Sequence, residues 1–248
     1  MPGRGNRATL AAPPIARAAE VPMTTQATTP KRVAVVLCGS GYKDGSEIRE
    51  SVAVLWALSM QGAQVQCFAP DAAQTDVVNC LTGKVATKEK RNMLVEAARI
   101  ARGQVKSLDQ LKADDFDAVV LPGGFGAAKN LCDFASNGAN GSVRADLQAA
   151  LAAFRDQDKP IGAVCIAPAL VALAFKGRGF DLTVGAEGGA ADALVALGHR
   201  HTVTRPDQAL VDRAHKVVTT PAYMYDDAPL HEVFEGIRKA VSAVVALA

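Results

Sequence analysis

Ile161-Gly162-Ala163-Val164-Cys165-Ile166-Ala167-Pro168 is an apolar run that ends on a cysteine and passes at once into small residues. Such a run reads as a strand closed by a sharp strand-to-helix turn. This turn, a nucleophile elbow, needs small neighbours, and Ala163 and Ala167 flank Cys165 at equal distance. The helix that follows brings free N–H groups and a positive dipole end to the sulfur, which favours the thiolate. The bland alternative is a core strand ending in a buried thiol, a common place for free cysteine. The elbow gains weight if other loops arrive at the same edge.

Two further strands supply such loops. Arg32 to Leu37 is a continuous β-branched run that ends in Cys38-Gly39-Ser40-Gly41. Asp117 to Leu121 is a second, ending in Pro122-Gly123-Gly124-Phe125-Gly126. Unbroken apolar runs of this length are typical of parallel strands buried on both faces. After the first loop, Ser46 is placed to cap a helix. Ile48, Val52, Leu55, Trp56 and Ser59 recur at helical spacing to about Gln61, and Gly62 stops it. Val65 to Ala69 is the next strand, which makes a right-handed βαβ unit. Asp71 to Lys106 is longer than an ordinary connection and holds one helix, about Arg91 to Arg102. Helices are expected over Ala127–Phe134 and Val143–Gln157, then past the elbow over Pro168–Phe175. A short strand at Leu182–Val184, a helix at Ala190–Leu197, a hairpin over Ala209–Thr219 and an amphipathic helix over Leu230–Leu247 complete the chain. Strands alternate with helices, so the class is α/β with a mostly parallel central sheet. In such sheets catalytic loops gather at the carboxyl ends of the strands. Gly39–Gly41, Gly123–Gly126 and Cys165 all fall at that edge.

The composition narrows the function. The chain has 248 residues, 49% of them apolar, with a formal charge of +2. No basic run interleaves with aromatics, so there is no footprint for nucleic acid. No apolar run approaches a membrane span. Cys38, Cys67, Cys80, Cys132 and Cys165 are dispersed, without a CxxC pair or zinc-type histidine spacing. This pattern predicts no metal site and a reducing compartment such as the cytoplasm. The glycine turns match neither a Walker A loop nor a full GxGxxG, so nucleotide binding is not expected. Residues 1–30 stand apart from the rest. They are rich in Ala, Pro, Thr and Arg, with Arg4, Arg7 and Arg17 but only Glu20 as an acid. This stretch reads as a disordered leader or as a mitochondrial transit peptide. A start codon placed too early is the other reading, because Met23 lies close ahead of the first strand. The fold is assigned to residues 31–248 as a single domain.

A thiolate that adds to a carbonyl needs a tuned pKa, an acid or base partner, and donors for the developing oxyanion. The backbone N–H groups of Gly124 and of Ile166, the residue after the cysteine, are candidate donors. Glu47 and Glu50 lie one turn apart near the start of the first helix. A carboxyl placed beside Cys165 would be protonated and donate to the sulfur. Ordinary solvated glutamates are the competing reading. His199, His201, His215 and His231 occur in no motif and read as structural, so a Cys-His-acid triad has no support.

Pro122-Gly123-Gly124 together with Cys165-Ile166-Ala167-Pro168 resembles the ThiJ/PfpI superfamily, which is similar to class I glutamine amidotransferases. More closely, the chain resembles its ElbB-like branch. Asp44 to Ile48, Cys67 to Asp71, Pro122 to Leu131 and Thr219 to Tyr223 carry that likeness, which spans the chain from about Arg32. The resemblance implies a flavodoxin-like three-layer sandwich and a homodimer. It implies Cys165 as nucleophile, Gly124 and Ile166 as oxyanion hole, and Glu50 as the cysteine's partner, with Glu47 as the fallback. The implied reaction is a cofactor-free glyoxalase that turns glyoxal or methylglyoxal into a 2-hydroxy acid through a cysteine hemithioacetal. A redox-responsive or chaperone-like dimer and an amidotransferase-like protein are the rival implications. Three departures stand out. Thr183-Val184-Gly185-Ala186 offers no histidine after the elbow strand, Arg49 stands where the branch carries histidine, and Cys38-Gly39-Ser40-Gly41 exchanges the Ser and Cys of the usual turn.

Overall fold

The computed structural model describes residues 29–248, so the expected leader lies outside the described residues except for its last two positions. In chain order the elements are β1 (Arg32–Val36), α1 (Ile48–Met60), β2 (Gln64–Ala69), β3 (Val78–Asn79), β4 (Lys84–Val85), α2 (Met93–Ile100), β5 (Val105–Ser107) and β6 (Ala118–Leu121). Then come α3 (Phe134–Asn137), α4 (Ala145–Asp156), β7 (Ile161–Val164), α5 (Ala167–Ala174), β8 (Asp181–Leu182) and α6 (Gly189–Ala196). The chain ends with β9 (Arg200–His201), β10 (Leu210–Asp212), β11 (Val217–Thr220) and α7 (Leu230–Leu247).

Seven strands form one sheet in the order β10-β11-β7-β6-β1-β2-β5. Every pairing is parallel except that of the edge strand β10 with β11. The apolar runs dictate this. Val33, Val35 and Leu37 face one layer and Ala34 and Val36 the other, all fully buried. A strand wet on one face would alternate with polar residues instead. One layer is built by α1 and α7, whose Val54, Leu58, Ile237 and Val241 pack on Val33, Val120 and Val218. The opposite layer carries Leu147, Leu151 and Phe154 of α4 and Leu170 of α5, packed with Phe68 and Val119. The result is a flavodoxin-like α/β/α sandwich. Gly162 allows the α7 layer to approach β7, because a Cβ there would stand 2.8 Å from Val244. Among the described residues no helix is long and apolar enough to cross a membrane.

Several expectations are corrected. The apolar series on α1 lies largely outward: Ile48, Val52 and Trp56 are each more than 40% exposed, and the sheet-facing residues are Glu50, Ala53, Val54, Ala57 and Leu58. Small residues let the helix sit close to the sheet, so the inner stripe is less hydrophobic in sequence than the outer one. Ser46 does not cap α1. Its hydroxyl is buried and accepts the Cys38 N–H at 2.9 Å, while Glu47 is the cap. The helix expected over Ala127–Phe134 is a π-helical turn, Ala127–Leu131, followed by the separate short α3. That turn brings the Asn130 amide to the carbonyls of Cys38 and Asp44, at 3.3 and 2.8 Å. The long connection hides the β3–β4 hairpin and the edge strand β5, both too short for periodicity to reveal. The strand expected at Leu182–Val184 is β8, which pairs with β9 in a ribbon of its own.

Candidate active site

Cys165 occupies the corner between β7 and α5 with φ of 62°. A left-handed conformation at a non-glycine residue is uncommon and costs about 1–3 kcal/mol. It is held by the Cys165 N–H, which donates to Thr220 O at 2.9 Å, and by Pro168 in the first turn of α5. The side chain is 7% exposed. The backbone N–H groups of Gly124 and Ile166 both act on the sulfur and pull its pKa down. Gly124 adopts φ of 98°, a conformation that a side chain would disfavour.

Glu50 lies in the first turn of α1 and is fully buried. Oε2 accepts the Gly123 N–H at 3.1 Å and Oε1 accepts the Tyr223 N–H at 3.2 Å. The carboxyl also hydrogen-bonds the Cys165 thiol. Burial is the largest cause pushing Glu50 up to about 8, followed by the charge of Glu47. The bonds from Cys165, Tyr223 and Gly123 oppose the shift. Burial, then the charge of Glu50, push Cys165 above the ordinary thiol value, against the pull of the Gly124 and Ile166 N–H groups. At neutral pH Glu50 is therefore protonated, the Cys165 thiol donates to its carboxyl, and the pair loses its first proton as a unit. Gly123 is what allows this contact. A Cβ there would meet the Cys165 Cβ and stand 2.6 Å from Glu50 Oε2.

Glu47 takes a different position from Glu50. Its Oε2 accepts the Glu50 N–H at 2.6 Å as the helix cap, and burial raises its pKa. It lines the cavity without touching Cys165. None of the four histidines lines the cavity. His199 accepts the Phe180 N–H at Nδ1 and donates from Nε2 to Ala172 O. His215 is bound to Asp212 at 2.7 Å, His201 sits beside Glu187 on β9, and His231 opens the surface of α7.

The sulfur forms the floor of a chamber of about 250 Å³, walled by Tyr42, Phe125, Tyr223 and Met224. A second chamber of about 460 Å³ opens beyond it, lined by Ile48, Arg49 and Cys80. The two share Tyr42, Glu47, Tyr223 and Asp226. The sequence reading gave no role to these aromatics. Tyr223 follows the strand end at Thr219-Thr220-Pro221, one more loop at the same sheet edge, and that placement was the available signal. Among the described residues no group of three His, Cys, Asp or Glu is placed to hold a metal ion.

Residues 31–220 match the DJ-1/PfpI family. The chain belongs to the DJ-1/PfpI family. Within it, the chain is 45% identical over 225 residues to the rat protein named "ES1 protein homolog, mitochondrial", covering 87% of this chain and 84% of that one. It is also 45% identical to the human protein named "Glutamine amidotransferase-like class 1 domain-containing protein 3, mitochondrial", covering 87% and 83%. A crystal structure from Ehrlichia chaffeensis, described as an isoprenoid biosynthesis protein with amidotransferase-like domain, superimposes with a TM-score of 0.81 at 35% identity, over 88% of this chain and 99% of that one. The DJ-1/PfpI match covers the elbow, both glycine loops and the start of α1, so of the residues lining the chamber only Tyr223, Met224 and Asp226 lie outside it.

Proposed function

We propose that this protein is a cofactor-free glyoxalase. The observation that carries the reading is the Cys165 sulfur at a positive-φ elbow beside a buried carboxyl, with the Gly124 and Ile166 N–H groups lowering its pKa. The sulfur adds to the aldehyde carbon of glyoxal or methylglyoxal, and the Gly124 and Ile166 N–H groups hold the oxyanion of the hemithioacetal. Glu50, which takes the thiol proton as the sulfur adds, passes it to the neighbouring carbonyl oxygen, then takes the proton from the hemithioacetal carbon and returns it to the neighbouring carbon, leaving a 2-hydroxy thioester. Water then releases the hydroxy acid and restores the thiol. One carbon is oxidised and its neighbour reduced, so no external electron carrier is required. The absence of an imidazole from the cavity wall counts against a glutaminase-type triad. The mitochondrial names of the rat and human relatives support a mitochondrial setting, with residues 1–30 as a transit segment, over a cytoplasmic one.

Purified protein incubated with glyoxal and no glutathione is expected to form glycolate. Cys165→Ser abolishes that formation, and Glu50→Gln lowers kcat by about 10²–10⁴-fold. Equal glycolate formation by wild type and Cys165→Ser would remove the cysteine mechanism.

A further inference from the structure

Arg49 is the cleft residue that glyoxal turnover leaves without a task. It follows Ile48 in the first turn of α1 and lines the outer chamber. One Nη donates to the Tyr223 hydroxyl at 3.0 Å, and Glu47 acts on the guanidinium through its charge alone. Arginine has five N–H donors in a planar fork, so most of them remain available for an oxyanion. The helix end does not compete for one, because Glu47 accepts the backbone N–H groups of Arg49 and Glu50.

Tyr223 connects the two chambers. Its backbone N–H holds Glu50 and its hydroxyl holds Arg49. Tyr223 thus spans from the Glu50 carboxyl to the Arg49 guanidinium. Glyoxal has four heavy atoms and fills the room of a few waters, each about 30 Å³. Chambers of about 250 and 460 Å³ leave most of the cleft empty around it.

We propose that Arg49 anchors a carboxylate, and that the substrate is an α-oxoaldehyde that also bears a carboxylate, reaching from the Cys165 chamber toward Arg49. This rests on the glyoxalase reading of Cys165. A guanidinium suits the assignment because its fork matches a carboxylate with two parallel hydrogen bonds. Glu47 is occupied at the helix end, and Asp226 is the one remaining acid of the chamber. A substrate anion is therefore welcome at Arg49 and repelled elsewhere. With 4,5-dioxopentanoate the aldehyde carbon becomes a carboxylate, the adjacent ketone becomes an alcohol, one water is consumed and 2-hydroxyglutarate forms.

Steady-state kinetics with 4,5-dioxopentanoate and methylglyoxal test the assignment, with calorimetry of glutarate on Cys165→Ser as a second readout. The wild type is expected to favour the carboxylate substrate at least tenfold in kcat/KM. Arg49→Gln lowers that preference at least tenfold, through KM, and Arg49→Lys recovers part of it. Asp226→Asn tightens glutarate binding. An unchanged preference in Arg49→Gln overturns the proposal. If neither aldehyde is turned over, the glyoxalase reading falls and glutarate decides the anchor. Binding to Cys165→Ser that weakens tenfold when Arg49→Gln is added supports it, and binding that is absent or unaffected overturns it.

Discussion

A carboxyl that titrates near 8 ties the chemistry of Cys165 to pH. Glu50 keeps its proton at neutrality because burial disfavours the carboxylate, and Glu47 adds like charge. The nucleophile is the pair after one proton has left. The kcat/KM for glyoxal is therefore expected to rise with unit slope and level off above about pH 8, and Glu50→Gln removes that inflection. A profile flat from pH 6 to 9 would contradict the assignment. The same shift acts on stability with a known sign. Glu50 titrates at about 8 in the fold and about 4.3 in an unfolded chain. The folded state binds the extra proton between those values, so this contribution is complete below about 4.3 and is lost as pH rises through about 8. Urea unfolding should accordingly show wild type losing stability relative to Glu50→Gln between pH 5 and 9. At this scale much was legible. Cys165, Gly124, Ile166 and Glu50 lie together; the first three were marked by an elbow and a glycine turn, while the helix start left Glu47 and Glu50 open and only the family resemblance preferred Glu50. Tyr223 and Arg49 were not marked, because an aromatic or a cation on a cleft wall leaves no periodic trace.

Two glycine-rich loops meet backbone to backbone behind the site. Gly126 N–H donates to Gly45 O at 3.0 Å, Glu47 N–H to Gly123 O at 3.0 Å, and Phe125 N–H to Tyr42 O at 2.8 Å. A Cβ on Gly126 would stand 2.5 Å from Gly45 Cα. Backbone cannot swing aside as the end of a side chain does, so the loops must part. Gly126→Ala is expected to destabilise the fold by about 1–3 kcal/mol in urea titration. It should also lower kcat/KM by displacing the Gly124 N–H from the sulfur. Unchanged stability and activity would mean that the loops tolerate separation. The loops were legible as turns, but their contact was not, since a glycine needed for close approach and one needed for a bend look the same in sequence. α1 shows the opposite failure. Its period was plain, yet the stripe of larger residues faces outward and Ala53 and Ala57 face the sheet. Burial there was decided by how closely helix and sheet can pack, and hydrophobicity followed.

Strand order explains why all of these pieces meet. From β1 the chain runs one way to β2 and later the other way to β6 and β7, so the crevice opens at the carboxyl ends beside β1. The loops after β1, β6, β7 and β11 all discharge there, and the sequence placed three of the four. The same architecture sorts the thiols. Cys38, Cys67 and Cys132 are buried between the layers, and burial is the chief cause that raises them to about 12, 11 and 11. Cys80 is exposed on the β3–β4 hairpin, and Cys165 is reached only through the cleft. Thiolate is the reactive form, so access and ionisation together set the rate of modification. Brief iodoacetamide treatment of the native protein, followed by peptide mass spectrometry, should therefore label Cys80 first. Cys165 should follow at a rate that climbs toward high pH, because burial and the charge of Glu50 raise its thiol above the ordinary value. The other three should react only at the rate of global unfolding, because no local opening short of separating sheet from helices exposes them. Labelling of Cys38 or Cys132 as fast as Cys165 would show that the layers open locally, and that the cavity is not the sole route to the sulfur.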